Sequence, residues 1–165
     1  MAKLVTGVFK SRVAAEAAVD AIIKRGYTRD DISVLMSDAT KSKEFAIETR
    51  THAADGLGYG AAVGGTVGAV VAALVAVGTN VVLPGLGLVV AGPLAAALAG
   101  AGAGGATGGI IGALVGAGIP EERVKHYEKG IEEGGILMGV TPRSDEDAEY
   151  FEREWKSNRG EEVYR

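Results

Sequence analysis

The sequence predicts an α+β protein in which two polar βαβ units flank a long apolar helical hairpin. Three observations indicate this arrangement. The two ends of the chain alternate short apolar runs with amphipathic segments. Residues 56–120 contain no Asp, Glu, Lys, Arg or His, and glycines recur every four residues within that segment. We therefore divide the chain into residues 1–55, the first βαβ half; residues 56–119, the hairpin; and residues 120–165, a helix followed by a second βαβ-like half.

The first unit begins with a short apolar run at residues 4–9, which suits a strand. Ser11 is placed to cap a helix whose apolar residues recur at helical spacing and which ends near Gly26. A second strand is predicted over residues 32–36. Residues 45–49 are interpreted either as an extra edge strand or as the hinge into the hairpin.

The hairpin carries two glycine ladders, the first at residues 56–68 and the second at residues 100–116. A step of four residues returns to nearly the same face of a helix, so each ladder forms a stripe without side chains. A glycine inside a helix costs about 1 kcal/mol relative to alanine, so the ladders together cost on the order of 9 kcal/mol. Close approach of another backbone can offset that cost through dispersion and Cα–H···O contacts. We therefore predict a glycine-zipper hairpin whose helix packing and oligomerisation use Gly56, Gly60, Gly64, Gly68, Gly100, Gly104, Gly108, Gly112 and Gly116.

The last unit repeats the plan of the first. Pro120 opens a helix that ends at Gly134, and an apolar run at residues 136–140 suits a strand. Ser144 or Asp145 then caps a helix that runs to about Asn158, before a final strand at residues 161–164. The run LVTGV at residues 4–8 resembles ILMGV at residues 136–140. A pair of split βαβ units is the plan of a ferredoxin-like sandwich, which we expect here.

Composition excludes several classes of chemistry. The net charge is -4 with no basic tract, so nucleic acid is not an expected partner. The chain has no cysteine, which rules out disulfides, thiol nucleophiles, iron–sulfur clusters and Cys-ligated zinc. We find no pattern for a catalytic site, a cofactor or a metal ion, and we expect a non-enzymatic protein.

Two weak motifs favour structural roles over chemistry. Residues 100–105 (GAGAGG) fit a dinucleotide-binding pattern, but they follow an alanine-rich helical segment where that motif needs a strand. His126 lies four residues after Glu122, which could hold a metal weakly but is more typical of a surface ion pair.

An aromatic group in the last helix has two interpretations. Its members share a helix face, so packing against the sheet is the first interpretation. A face for docking a partner protein or a membrane surface is the second. The group consists of Tyr150, Phe151 and Trp155.

The chain resembles the YflT-like general stress proteins, bacterial proteins also described as heat- or low-temperature-induced. The resemblance covers nearly the whole chain. It is carried by residues 7–9 (GVF), 26–34 (GYTRDDISV), 51–56 (THAADG), 83–87 (LPGLG), 91–97 (AGPLAAA), 118–122 (GIPEE), 127–130 (YEKG) and 134–137 (GGIL). It implies a stress-associated protein with no established enzymatic activity and no catalytic residues to transfer.

Two locations are open for the hairpin. Residues 57–79 and 86–118 each exceed the about 20 residues that cross a bilayer, so a double-pass membrane hairpin with cytoplasmic polar ends is our first expectation. A cytoplasmic, soluble homo-oligomer whose hairpins form a central bundle is the alternative. In either case the chain is expected to contact itself, with the lipid bilayer or another protein as further partners. A small-molecule sensor on the sheet is a third hypothesis.

Overall fold

The first βαβ unit begins the fold as the sequence predicts. In a computed structural model, which describes residues 4–51, 81–83, 87–100, 111, 112, 114–116 and 118–165, β1 (Val5–Phe9) leads into α1 (Arg12–Lys24). The Ser11 hydroxyl caps α1 by accepting a hydrogen bond of 3.2 Å from the Ala14 N–H. A short 3₁₀ turn (Arg29–Asp31) then precedes β2 (Ile32–Ser37).

The segment after β2 differs from the prediction. Residues 45–49, interpreted as an edge strand or hinge, lie within α2 (Asp38–Thr51). The Ser37 hydroxyl accepts a hydrogen bond of 3.0 Å from the Thr40 N–H, which starts this helix directly at the end of β2. Phe45 is buried against the Arg12 guanidinium, whose carbon lies 5.2 Å from the ring centre. Helix packing against the first unit therefore overrides the local strand preference.

The second arm of the hairpin is not one helix, and this prediction was wrong. Residues 88–91, placed in a helix from residue 86 to 118, form β4 (Leu88–Ala91). β4 pairs with β3 (Val81–Leu83), which lies between the two predicted arms, and the chain then enters α3 (Pro93–Gly100). Both strands belong to the same sheet as the polar units, because β4 also pairs with β2.

The second half of the chain follows the predicted order. α4 (Glu121–Glu132) begins directly after Pro120 and leads into β5 (Ile136–Val140). Ser144 caps α5 (Asp145–Ser157) by accepting a hydrogen bond of 3.1 Å from the Asp147 N–H, and β6 (Glu161–Tyr164) follows.

The strands form one six-stranded sheet with the order β3-β4-β2-β5-β1-β6, in which each neighbouring pair is antiparallel. β5 lies between β1 and β2, the two strands of the first unit. β1 in turn lies between β5 and β6, the two strands of the second unit. Each βαβ unit is therefore split by a strand of the other, and the fold is α+β.

Helices pack against both faces of the sheet. Side chains of α1, α2 and α5 pack with Phe9, Met36 and Met138 on one face. Side chains of α3 and α4, together with Leu114 and Ile119, pack with Leu35 and Leu137 on the other. β1, β4 and β5 are buried along their whole length, so the central part of the sheet is an internal layer.

The start of α3 is fixed tightly against β2. Gly92 takes a φ of +79°, and a Cβ at this position would lie 1.9 Å from the Ile32 carbonyl oxygen, so no other residue fits. Two residues later, the Leu94 N–H donates a hydrogen bond of 3.1 Å to the buried hydroxyl of Ser33. The uncharged segment therefore enters the core of the α+β domain at this point.

Candidate functional site

A network of polar contacts joins the two βαβ units through Tyr27. The Tyr27 hydroxyl donates a hydrogen bond of 2.6 Å to Asp147 Oδ2 and accepts one of 2.6 Å from the Arg143 N–H. Tyr27 lies in the α1–β2 connection, whereas Arg143 and Asp147 lie at the end of β5 and the start of α5. The ring of Tyr27 also packs edge-on against Phe151 at 5.1 Å between ring centres.

Two arginines complete this network. Arg25 Nε donates a hydrogen bond of 2.6 Å to Asp147 Oδ1. Arg143 lies over the Tyr27 ring at 4.1 Å and donates a hydrogen bond of 3.1 Å to Asp31 Oδ2. Each carboxylate in this group therefore faces a guanidinium, and the arrangement is that of a structural clamp between the two units.

The electrostatics of the clamp agree with that assignment. Hydrogen bonds from Tyr27 and then Arg25 hold the pKa of the Asp147 carboxyl below its ordinary value. Burial, followed by the hydrogen bond to Asp147, raises the pKa of the Tyr27 hydroxyl. Both shifts favour the forms present at neutral pH, so neither group is prepared for proton transfer.

A second polar contact is buried beneath β6. The hydroxyls of Thr6 and Tyr127 lie 2.6 Å apart, and the Tyr127 hydroxyl donates a hydrogen bond of 3.3 Å to the Glu162 carbonyl oxygen. Burial raises the pKa of Tyr127 to about 12. Glu162 has a φ of 50° at the point where the β1–β6 register shifts, so this tyrosine supports an irregular edge strand.

A shallow cleft lies between α4 and the β1–β6 edge, with a volume of about 190 Å³. Its charged side chains face one another: Lys10 Nζ lies 3.0 Å from Glu161 Oε2, and Lys129 Nζ lies 3.9 Å from Glu133 Oε1. The carboxylate within reach of His126 is Glu162, at 4.0 Å, rather than the Glu122 predicted from spacing. In the described part of the chain, no group of three or more His, Cys, Asp or Glu is arranged to hold a metal ion.

The aromatic group of the last helix is largely core, which agrees with the first of its two interpretations. Phe151 and Trp155 are both 0% exposed, and the Trp155 indole N–H donates a hydrogen bond of 3.3 Å to the Ala18 carbonyl. Trp155 packs edge-on against Phe9, at 5.5 Å between ring centres. Tyr150 is half-buried beside Arg25. The docking interpretation was therefore wrong for Phe151 and Trp155, because the helix turns these side chains into the sheet.

The glycine ladders are described only in part. Gly100 is the last residue of α3, and Gly112 and Gly116 lie in helical residues between 111 and 116. Gly56, Gly60, Gly64, Gly68, Gly104 and Gly108 lie outside the described residues. The dinucleotide-like motif at residues 100–105 begins where helix α3 ends, whereas such a site requires a preceding strand.

Helices α3 and α4, which pack on the same face of the sheet, have different outer surfaces. The exposed positions of α4 are all charged or ionisable: Glu121, Glu122, Lys125, His126, Lys129 and Glu132. On α3, among residues 94–98, whose burial the structure describes, Ala96 and Ala97 are exposed. Val115, near the end of the second ladder, is 42% exposed. The α3 side of this layer therefore presents small apolar groups to its surroundings, whereas α4 presents charge.

Among the residues that the structure describes, none of the helices has the length and apolar character needed to cross a membrane. The first predicted arm, residues 57–79, lies outside them.

Comparison with protein-family models, curated proteins and solved structures finds no match to this chain. The resemblance to the YflT-like general stress proteins stays a prediction.

Sequence reasoning missed the Tyr27–Asp147 clamp. Its members are 120 positions apart in the chain, and periodicity and spacing report only on residues within one element. The pairing of the two units, once predicted, does bring the α1–β2 and β5–α5 connections to one end of the sheet. The signal that could have predicted the clamp was a tyrosine at the first connection and an acidic first turn of the helix after the second.

Proposed function

We propose that this chain is a non-enzymatic, stress-associated protein that assembles with copies of itself through its glycine ladders and displays its α/β domain on that assembly. The observation that carries the proposal is the contrast between α3 and α4. Both helices cover the same face of the sheet, yet α4 exposes charged side chains and α3 exposes alanines where it enters the second ladder. A helix surface that meets only water is normally charged or polar.

The chemistry of the ladders favours a second copy of this chain as the neighbour. Glycine and alanine contribute little apolar area to an interface, so their value lies in letting two backbones approach closely. A second copy supplies the same smooth, uncharged stripe, and no charge in residues 56–120 opposes the contact. Close packing of this kind offsets the helix propensity that the glycines lose.

The fold supports a display role for the α/β domain. The strand order β2-β5-β1-β6 is that of the ferredoxin-like pair we propose, with β3 and β4 added at one edge. A two-layer ferredoxin-like sandwich has helices on one face of its sheet only. Here α3 and α4 cover the other face. The polar groups of the domain pair with one another in the clamp and the cleft, which favours a structural role over catalysis. The stress association rests on the family resemblance alone.

A charge placed on the α3 surface tests the proposal. Ala97 is exposed, so Ala97→Glu leaves the core unchanged but buries an unpaired carboxylate in the proposed interface. Lys125→Gln is the matched control, because it changes the formal charge by the same amount at an exposed position of α4. Size-exclusion chromatography with light scattering over a concentration series measures the mass of each variant.

The proposal expects Ala97→Glu to raise the concentration needed for assembly by about tenfold or more, a change of about 1.4 kcal/mol. Lys125→Gln is expected to behave as the wild type. Gly104→Leu and Gly108→Leu test the ladder itself, since a large side chain separates the backbones. Wild-type mass in Ala97→Glu and both leucine variants would refute the proposed interface. Recovery of the protein only from detergent extracts of membranes would instead indicate lipid as the neighbour.

A further inference from the structure

We draw no further inference here: the strongest candidate, the shallow cleft between α4 and the β1–β6 edge, carries nothing because its basic side chains Lys10, His126 and Lys129 already face glutamates of the same cleft.

Discussion

The buried hydroxyl of Ser33 accepts a hydrogen bond of 3.1 Å from the backbone N–H of Leu94. Ser33 belongs to β2 of the first βαβ unit, and Leu94 belongs to the first turn of α3 in the uncharged segment. The bond satisfies one of the free N–H groups at the start of a helix, as a capping side chain does. It therefore links the polar domain to the segment that carries the second glycine ladder.

Removing this hydroxyl should destabilise the fold. Ser33→Ala leaves the Leu94 N–H buried without an acceptor, and we expect a loss of about 1 to 2 kcal/mol in the free energy of unfolding. Urea denaturation followed by circular dichroism measures the loss. Ser157→Ala is the control, since that hydroxyl donates to the Glu154 carbonyl at an exposed site. Equal stability of the two variants would contradict the proposed link.

A methyl group at Gly92 should be more damaging. Gly26→Ala provides a matched comparison, because Gly26 has a φ of +83° but open space around its Cβ position. We expect Gly26→Ala to cost about 1 kcal/mol from the left-handed backbone alone. Gly92→Ala adds a clash with the Ile32 carbonyl and should cost at least about 2 kcal/mol more. Thermal or urea unfolding measures the free energy of unfolding of each variant. Similar losses in both variants would contradict the close packing of β2 and α3.

The Tyr27–Asp147 clamp predicts a pH-dependent stability difference. The pKa of Asp147 is lowered in the folded protein, so the stability it contributes is present above the unfolded value of about 3.9 and is lost as the pH falls below it. Asp147→Asn should therefore lower the urea midpoint at pH 7, and the difference from wild type should shrink below about pH 4.

Glu146→Gln is the control for that experiment. Glu146 also accepts a hydrogen bond from Arg25, but its side chain is 83% exposed. We expect little change in its midpoint at either pH. A constant difference between Asp147→Asn and wild type across the pH range would show that the Asp147 charge does not stabilise the clamp.

The Tyr127 hydroxyl should ionise at a higher pH than an ordinary tyrosine. Its pKa is raised to about 12 by burial, so the neutral hydroxyl contributes stability that is complete below the ordinary value of about 10 and is lost as the pH rises through 12. The ultraviolet absorbance of tyrosinate should show a step near the raised value that is missing from Tyr127→Phe. An unchanged last step in the variant would place Tyr127 in a more exposed setting than the structure gives it.

The polar units were predictable because their signals are local. Ser11 and Ser144 start helices at the expected positions, and the apolar run at residues 136–140 forms β5 with the predicted bounds. Each prediction rests on capping chemistry or on side-chain periodicity within one element.

The strands inside the uncharged segment were missed for a physical reason. A short apolar run that is buried on both faces has the same composition as a buried helix segment, so periodicity does not separate them. Two signals in the sequence favoured a β-hairpin: the Pro84–Gly85 pair, which is typical of turns, and the Gly92–Pro93 pair before α3. The prediction of a helical hairpin followed the four-residue glycine spacing instead of these turn signals.

The proposed assembly surface depends on the sequence only in part. The glycine spacing predicts where helices would pack together, and this stays a prediction; the contrast between the exposed faces of α3 and α4 depends on which residues the sheet buries. Helix α3 packs Leu94, Ala95 and Leu98 against the sheet. This orientation leaves Ala96 and Ala97 exposed. The orientation of α3 depends on where the helix packs in the tertiary structure.

The mass of the untagged wild-type chain in solution tests the account most directly. Cells expressing the chain are fractionated, and the fraction that contains it is measured by size-exclusion chromatography with light scattering across a concentration series. Self-assembly through the ladders predicts a discrete particle whose mass is a multiple of 16.8 kDa. A single species of 16.8 kDa at every concentration would contradict it.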